Sequence, residues 1–324
     1  MICKVCAQDM KPVVLLEHVS AENDILRCPE CKITFVHPQP TSDELTAYYN
    51  GMYKNLTVAF NQEQLDRARF SMKGYMKSLD WTETDRQDRT FLDLGGGLGY
   101  YSKAAIDYGL NPILVEKDPV SVDFARNHLN LSNIIEKDLD DFFENASHQY
   151  DVVFFRHVIE HVTEPRKVIH GISKILKADG VLIIETDNNA GIEILFNKGS
   201  RKFYMDLYKS NFKNVSFLNL LFKRPFALDP PRHLFGFRMK NLCQLLESND
   251  LSPFIKDHYR LGHPVYWPNI ATPKLSTSIR AFKRLKFKAG FFHLLKYLNL
   301  HFRKVLQSFG LSSGLCIYAR KTSS

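Results

Sequence analysis

The sequence predicts an α/β fold built on a parallel sheet, and three features of its 324 residues lead to this prediction. Strand-like and helix-like patterns alternate from residue 91 onward, as in a series of βα units. Residues 152–155, Val-Val-Phe-Phe, are apolar without a break, which indicates a strand buried on both faces. A glycine-rich loop separates the first strand from the helix that follows it. The chain is long enough for one large or two medium domains with a substantial core.

The expected elements follow this alternation along the chain. Strands are expected near 91–94, 112–116, 133–137, 150–155, 180–185, 253–259 and 315–321. Helices are expected between them, with one over 61–80 before the first strand and one over 238–249 before the sixth. No apolar run approaches the ~20 residues that a membrane span needs, and the N-terminus lacks the apolar core of a signal peptide. We therefore expect a cytoplasmic protein.

Four of the six cysteines form two closely spaced pairs near the N-terminus, Cys3 with Cys6 and Cys28 with Cys31. Together the pairs predict a tetrahedral four-thiolate site in a zinc ribbon over 1–40. Two disulfides are the alternative, which the missing secretory signal disfavours. A site closed by four cysteines leaves no position for substrate, so the metal is expected to be structural. The sequence leaves open whether the metal is zinc or iron.

The loop after the first strand carries Asp93 followed by glycines at alternate positions, Gly95, Gly97 and Gly99. Glycine allows a ligand to approach the backbone closely, and the next helix directs its free N–H groups at the occupant of the loop. A dinucleotide fingerprint would need a glycine at the position of Tyr100, so G-x-G-x-x-G is not matched. An acid at the start of the loop would repel a pyrophosphate, whereas it suits a ligand with ammonium and sulfonium charge.

The second strand ends at Glu116, about 20 residues after the first glycines, where a carboxylate suits the two hydroxyls of a ribose. With these motifs, residues 91–187 resemble the class I S-adenosylmethionine-dependent methyltransferases. The resemblance implies a Rossmann-like seven-stranded sheet with an antiparallel last strand. It also implies that the glycine loop holds the methionyl end of S-adenosylmethionine, that Glu116 holds the ribose and that Asp138 lies beside the adenine. An NAD site and an ordinary βα turn are the alternatives.

The segment after the fourth strand, His157 to His161, reads His-Val-Ile-Glu-His. It formally matches the inverted zinc-protease motif H-x-x-E-H, but it follows a buried strand directly and has no clear third ligand. Such a stretch after strand four is typical of the methyltransferases. The resemblance implies that His157 is a site residue near the sulfonium or the acceptor, with Glu160 and His161 orienting the loop.

A further candidate, His233, lies in the segment Pro-Pro-Arg-His-Leu-Phe over 230–235. Methyltransferases that carry a similar ribbon often show a Pro-x-His run, and the resemblance implies acid/base work for this histidine. We expect His233 to remove a proton from the acceptor, with Arg232 assisting an anionic substrate. A capping histidine on a lid is the alternative.

This interpretation divides the chain into a zinc ribbon (1–40), a helical linker or lid (41–85) and a methyltransferase domain (86–324). Two insertions, at about 188–237 and 262–313, enlarge the last part. Ligands bind beyond the carboxyl ends of the strands in open α/β sheets. The first insertion leaves from that edge, so we expect it to close over the active site.

The net charge of +8 is concentrated near the C-terminus. Twelve Lys and Arg and no acidic residue follow Asp257, whereas the rest of the chain carries 31 basic and 35 acidic residues. Over 279–306, apolar residues recur at helical spacing among basic ones, as in a pair of basic amphipathic helices. Such a pair suits an anionic membrane surface, a lipid-linked phosphorylated glycan or nucleic acid. Packing against the domain or a second subunit is the alternative.

The predicted function is methyl transfer to a small molecule, for which a sugar or a glycan or lipid-linked biosynthetic intermediate is the expected acceptor. Binding of the basic helices to a membrane would place the protein at its inner face. RNA methylation is the second class, although no Asn-Pro-Pro-Tyr-like motif follows the fourth strand. A non-catalytic cofactor-binding protein is the third, which the intact acid and glycines disfavour. The acceptor atom and the oligomeric state are left open.

Overall fold

The computed structural model describes residues 1–20, 23–53, 58–192, 228–259 and 304–322, and the single positions 202, 291, 294, 298 and 302. Most of the two predicted insertions and most of the predicted basic helix pair over 279–306 therefore lie outside the described residues.

Strands and helices alternate along most of the described chain. The strands are β1 (Val13–Ser20), β2 (Asn23–Arg27), β3 (Thr34–His37), β4 (Thr90–Leu94), β5 (Asn111–Glu116), β6 (Ile134–Glu136), β7 (Tyr150–Arg156), β8 (Leu176–Asp187), β9 (Phe235–Gly236), β10 (Leu251–Tyr259) and β11 (Gly314–Lys321). The helices are α1 (Ser42–Tyr53), α2 (Gln62–Ser78), α3 (Glu83–Arg86), α4 (Tyr100–Asp107), α5 (Pro119–Leu129), α6 (Leu139–Glu144), α7 (Pro165–Ile175) and α8 (Met239–Glu247). All seven strands expected after residue 90 are present.

The larger sheet has seven strands in the order β10-β11-β8-β7-β4-β5-β6. The strands β4 to β8 run parallel to one another, whereas β11 is antiparallel to both β8 and β10. The predicted fold class, a Rossmann-like sheet with an antiparallel last strand, is confirmed.

The register of the parallel strands gathers polar side chains at one edge of this sheet. Asp93 pairs with Leu114 of β5 and with Phe154 of β7. The neighbouring strands end at Glu116, Arg156 and Asp187. Because the carboxyl ends of parallel strands meet at one edge, this edge is where a ligand is expected.

The two faces of the sheet bury separate hydrophobic cores. Alternate strand residues point to opposite faces, so Leu92 and Val153 belong to one core and Phe91 and Phe154 to the other. The ribbon residues pack on the first face together with α7 and α8. Helix α2 covers the second face with a stripe of buried side chains, Leu65, Ala68, Met72, Tyr75 and Met76.

The N-terminal ribbon is joined by a strand from far along the chain. Its antiparallel sheet has the order β1-β2-β3-β9. Phe35 of β3 pairs with Phe235 of β9, and the backbone N–H of Val36 donates to Leu234 O at 3.0 Å. The ribbon predicted over 1–40 therefore shares its sheet with the segment that directly follows His233.

No helix in the described part of the chain is both long enough and apolar enough to cross a membrane.

Candidate functional site

The glycine loop between β4 and α4 has the backbone that its glycines were expected to permit. Gly95, Gly97 and Gly99 have φ angles of +72°, +55° and +78°, in the left-handed region that side-chain-bearing residues rarely adopt. A Cβ on Gly95 would lie 2.8 Å from Val158, and one on Gly99 would lie 2.7 Å from Leu131. By contrast, a Cβ on Gly97 would meet no described atom within 4 Å. The open side of the loop is therefore at Gly97.

Helix α4 begins directly after this loop with an uncapped N-terminus. Its N-cap is Gly99, which offers no side chain to accept from the N–H groups of the first turn. The N–H groups of the first turn and the positive end of the helix dipole consequently face the loop, an arrangement that favours an anionic group such as a carboxylate.

Asp93 lies beneath the loop and does not line its open side. The residue is 2% exposed, and its Oδ2 accepts a hydrogen bond from the Ser102 hydroxyl at 2.7 Å. Burial raises the pKa of Asp93 to about 6, despite the opposing hydrogen bond from Ser102. In this structure Asp93 ties β4 to α4, while its predicted contact with a cationic ligand stays a prediction.

Glu116 closes the site on the β5 side of the loop. Its Oε2 accepts from Gly97 N at 2.8 Å, and its Oε1 accepts from the backbone N–H groups of Lys117 and Asp118 at 2.8 and 2.9 Å. Asp138, after β6, is the N-cap of α6 and accepts from Asp141 N. The three predicted cofactor elements thus follow three adjacent strands in the order β4, β5 and β6.

An ion pair follows β7. His157 Nδ1 lies 3.0 Å from Glu160 Oε1 and 3.3 Å from Asp187, and His157 Nε2 lies 2.8 Å from the Tyr259 hydroxyl. Burial and Arg156 lower the pKa of His157, but the hydrogen bonds with Asp187 and Glu160 outweigh them and raise it to about 9. Burial alone would raise the pKa of Glu160. The contact with His157 outweighs burial and lowers this pKa to about 2. At neutral pH the pair is therefore charged, and His157 is a cation.

Glu160 also fixes the segment that contains His233. Its carboxylate accepts from the Thr186 hydroxyl at 2.9 Å, and its backbone carbonyl accepts from Leu234 N at 2.7 Å. The role of Glu160 and His161 in orienting the loop stays a prediction.

His233 is 7% exposed and faces two carboxylates. Its Nδ1 lies 2.8 Å from Asp229 Oδ1 and 3.9 Å from Asp187 Oδ2. Burial lowers the pKa of His233, but Asp229, Asp187 and Glu160 together outweigh burial, so the net shift is upward. Arg232 holds Asp229 from the other side, with its Nε and Nη2 donating to Asp229 Oδ2 at 2.9 and 2.7 Å. An imidazole backed by a carboxylate is the arrangement of a general base.

His161 packs against His233 as a neutral ring. The ring centroids lie 4.6 Å apart, and His161 Nδ1 is 2.9 Å from Arg232 O. Because a carbonyl oxygen only accepts, Nδ1 carries the proton and Nε2 has the lone pair. Burial lowers the pKa of His161. The Tyr49 hydroxyl of α1 lies 3.1 Å from the same Nδ1, so the predicted linker or lid segment reaches the site.

The four predicted ligands of the ribbon lie together. The Sγ atoms of Cys3, Cys6, Cys28 and Cys31 are all within 4.8 Å of one another. The Cys3–Cys31 and Cys6–Cys28 sulfur pairs are each 3.8 Å apart, and all four cysteines are free of disulfides. A tetrahedral ion with metal–sulfur bonds of about 2.3 Å separates its ligands by about 3.8 Å. The donor set therefore fits a tetrahedral metal.

Comparison with known proteins assigns the fold to a family. A family model described as a methyltransferase domain matches residues 65–253, more than half of the chain. The chain belongs to this methyltransferase family. The matched range contains both the glycine loop and the cluster around His233.

Individual relatives match shorter stretches of the methyltransferase domain. A ubiquinone biosynthesis O-methyltransferase of Actinobacillus pleuropneumoniae serotype 7 (strain AP76) is 32% identical over 105 residues, which are 30% of this chain and 45% of that protein. An uncharacterized methyltransferase of Mycolicibacterium gilvum (strain PYR-GCK) is 29% identical over 139 residues, 40% of this chain and 54% of that protein. The chain spans about half the length of the curated relatives it matches.

Among solved structures, the Burkholderia thailandensis 1,6-didemethyltoxoflavin-N1-methyltransferase, with bound 1,6-didemethyltoxoflavin and S-adenosylhomocysteine, is similar to this methyltransferase. The two are 12% identical with a TM-score of 0.46, over 97% of this chain and 100% of that one.

Three residues that surround the histidines were not among the predicted site residues. Asp187 and Asp229 flank His233, and Tyr259 contacts His157. Asp187 is the last residue of β8. An acidic residue at the end of a predicted strand is a pattern by which the sequence could have identified it as a site residue. Nothing in the sequence pairs Tyr259 with His157, because the two are 102 residues apart.

Proposed function

We propose that this protein transfers the methyl group of S-adenosylmethionine to a hydroxyl group of a small molecule, with His233 as the general base. The observation that carries the proposal is that one edge of the sheet has an open glycine loop after β4 and, next to the last residue of β8, an imidazole backed by a carboxylate. The names of several relatives, O-methyltransferases, support a hydroxyl as the accepting group. A sugar or a glycan or lipid-linked biosynthetic intermediate is the acceptor class that we propose.

The residues at the edge fit the methyl donor. The space at Gly97 and the free N–H groups of α4 suit its amino-acid portion, whose carboxylate the helix N-terminus would stabilise. Each carboxylate oxygen can accept about two hydrogen bonds. Glu116 has three backbone donors, two on Oε1 and one on Oε2, so Oε2 retains capacity for about one ribose hydroxyl. Asp138 follows the next strand, where the adenine would lie.

When bound, the donor supplies a methyl group on a sulfonium. Transfer of this methyl group leaves a neutral thioether, so no acid has to protonate the leaving group. The chain has to hold the acceptor oxygen in line, about 3–3.5 Å from the methyl carbon. His233 takes the proton of the hydroxyl, and Asp229 stabilises the imidazolium that results. His157 is already protonated at neutral pH, so its role is to hold Glu160 and Asp187 in place.

The proposal includes a structural metal in the ribbon, with zinc as the expected ion. Cys3, Cys6, Cys28 and Cys31 would hold it as thiolates. Metal binding would displace the protons of these thiols, because the thiolate is the form that binds the ion. Four protein ligands close the coordination sphere, and the metal takes no part in the chemistry.

Transfer of a labelled methyl group tests the proposed acceptor class. Purified protein is incubated with S-adenosylmethionine labelled in the methyl group and with separate nucleotide-sugar, lipid-linked saccharide, quinol and RNA fractions. We expect label in a saccharide fraction, with one S-adenosylhomocysteine released per methyl group transferred. Label confined to the quinol would correct the acceptor class but not the reaction, whereas label confined to RNA would contradict the small-molecule proposal.

A further inference from the structure

Large apolar side chains are exposed along the segment that precedes β11. Five of them are between 44% and 73% exposed, and we call them the C-terminal stripe: Phe291, Leu298, Phe302, Val305 and Phe309. The described positions 291, 294, 298, 302 and 304–308 are all helical. An exposed apolar set of this size usually marks a surface that contacts another molecule.

The spacing of the C-terminal stripe along the sequence is the spacing of one helix face. After Phe291 they recur at i+7, i+11, i+14 and i+18, close to multiples of the helical repeat. Phe309 N donates to Val305 O at 3.1 Å, which continues this repeat to the last member. Leu306 is only 6% exposed, and Leu294 is partly buried. Leu294 and Leu306 are therefore the more buried of the described positions, and the C-terminal stripe is exposed.

The charge around the C-terminal stripe has a single sign. No acidic residue follows Asp257, and eight Lys and Arg lie between 279 and 306. Lys304, the one of these eight that the structure describes, is exposed. It follows Phe302 by two positions, roughly 200° around a helix, so it lies on the side away from that phenylalanine. Apolar residues on one face and basic residues on the other are the composition of a helix that lies in the interface of an anionic bilayer.

The C-terminal stripe ends beside the site. Gly310, with a φ of +67°, follows the helix, and Leu311 N donates to Leu306 O at 2.8 Å. The Asn188 side-chain amide donates to Gly310 O at 3.0 Å and to Ser312 O at 2.7 Å. Because Asn188 directly follows Asp187 at the carboxyl end of β8, the last turn of the helix is anchored at the edge that carries His233.

We propose that the C-terminal stripe docks this protein on an anionic lipid bilayer, with the carboxyl edge of the sheet next to the membrane surface. The docking is independent of the reaction, and only the description of that edge as catalytic rests on the proposed function. The positive charge of the segment favours a bilayer with anionic lipids over a neutral one.

Co-sedimentation of the full chain with vesicles tests the docking. We expect binding to vesicles that contain phosphatidylglycerol, weaker binding as salt is raised, and little binding to pure phosphatidylcholine. The double variant Val305→Ser/Phe309→Ser should lose at least about tenfold in vesicle affinity, since it removes two exposed apolar anchors. Ile106→Ser is the matched control, because Ile106 is 43% exposed near the end of α4, away from the carboxyl edge.

Two comparisons separate this inference from the proposed function. Both variants should bind S-adenosylhomocysteine as the unchanged chain does, which also shows that they are folded. Failure of the unchanged chain to bind anionic vesicles would overturn the inference, even if it binds the nucleoside. An equal loss of vesicle affinity in the control and the double variant would overturn the inference as well. So would a double variant whose vesicle affinity is unchanged and whose self-association or RNA binding is altered. Vesicle binding without nucleoside binding would leave the docking intact and refute the proposed function.

Discussion

His233→Gln is expected to lower kcat by about 10²–10⁴-fold, the usual contribution of a positioned general base. Glutamine keeps hydrogen-bonding groups and much of the side-chain volume, but it cannot take a proton from a hydroxyl. The affinity for S-adenosylmethionine should stay unchanged, because the residues proposed to bind it follow β4, β5 and β6. The measurement is release of S-adenosylhomocysteine with the labelled acceptor, together with calorimetric binding of the donor.

The pH dependence of kcat provides a second readout for His233. A base acts only when it is deprotonated, so the rate should rise with pH through the pKa of His233, which lies above its usual value near 6.5. Asp229→Asn removes the carboxylate that raises this pKa, and the rising limb should move to lower pH. His170→Gln, the same substitution at an exposed position of α7, is the control and should leave the rate unchanged. Full turnover in His233→Gln would exclude His233 as the base.

Removal of the metal that we propose for the ribbon is expected to destabilise the protein and to reduce its activity together. Metal binding contributes on the order of 10 kcal/mol to the folding of isolated zinc fingers, and part of that stabilisation would be lost here. A loss of about 3–5 kcal/mol would lower the Tm by roughly 6–20 °C in a domain of 150–250 residues. Activity should fall because the ribbon strand β3 pairs with β9, which directly follows Leu234 and His233.

Matched cysteine variants distinguish the metal from ordinary core packing. Cys28→Ala should abolish binding of one metal ion per chain, while Cys243→Ala, at a buried cysteine of α8, should retain it. Chelation should lower the Tm and kcat of the unchanged chain, and added zinc should restore both. The affinity for S-adenosylhomocysteine should change little, since the glycine loop lies outside the ribbon sheet. The zinc proposal would be contradicted if the purified chain contained no metal and its Tm were unchanged by chelators.

The sequence predicted the parts of this structure that depend on local pattern. Apolar runs located the strands, and the position of Asp93 and Glu116 at strand ends placed them at one edge without any contact information. The cysteine spacing predicted the four-sulfur cluster for the same reason, since each Cys-x2-Cys pair is a local turn.

The parts that the sequence did not predict depend on pairing between distant residues. Strand β9 has only two residues, too few for an alternation signal, and its partner Phe35 lies 200 positions before Phe235. The sequence likewise did not predict the neighbours of His157, because Tyr259, which contacts it in the fold, is 102 residues away along the chain. Its raised pKa, and hence its cationic state, follows from neighbours that no local motif contains.

Calorimetric titration of the purified, metal-replete chain with S-adenosylhomocysteine tests whether this edge of the sheet binds the methyl donor. We expect saturable binding of one molecule per chain, and we expect Glu116→Ala to weaken it strongly through loss of the ribose contact. Glu136→Ala, the same change at the neighbouring strand position, should leave it intact. No heat of binding with the unchanged chain, for either S-adenosylhomocysteine or S-adenosylmethionine, would contradict the account.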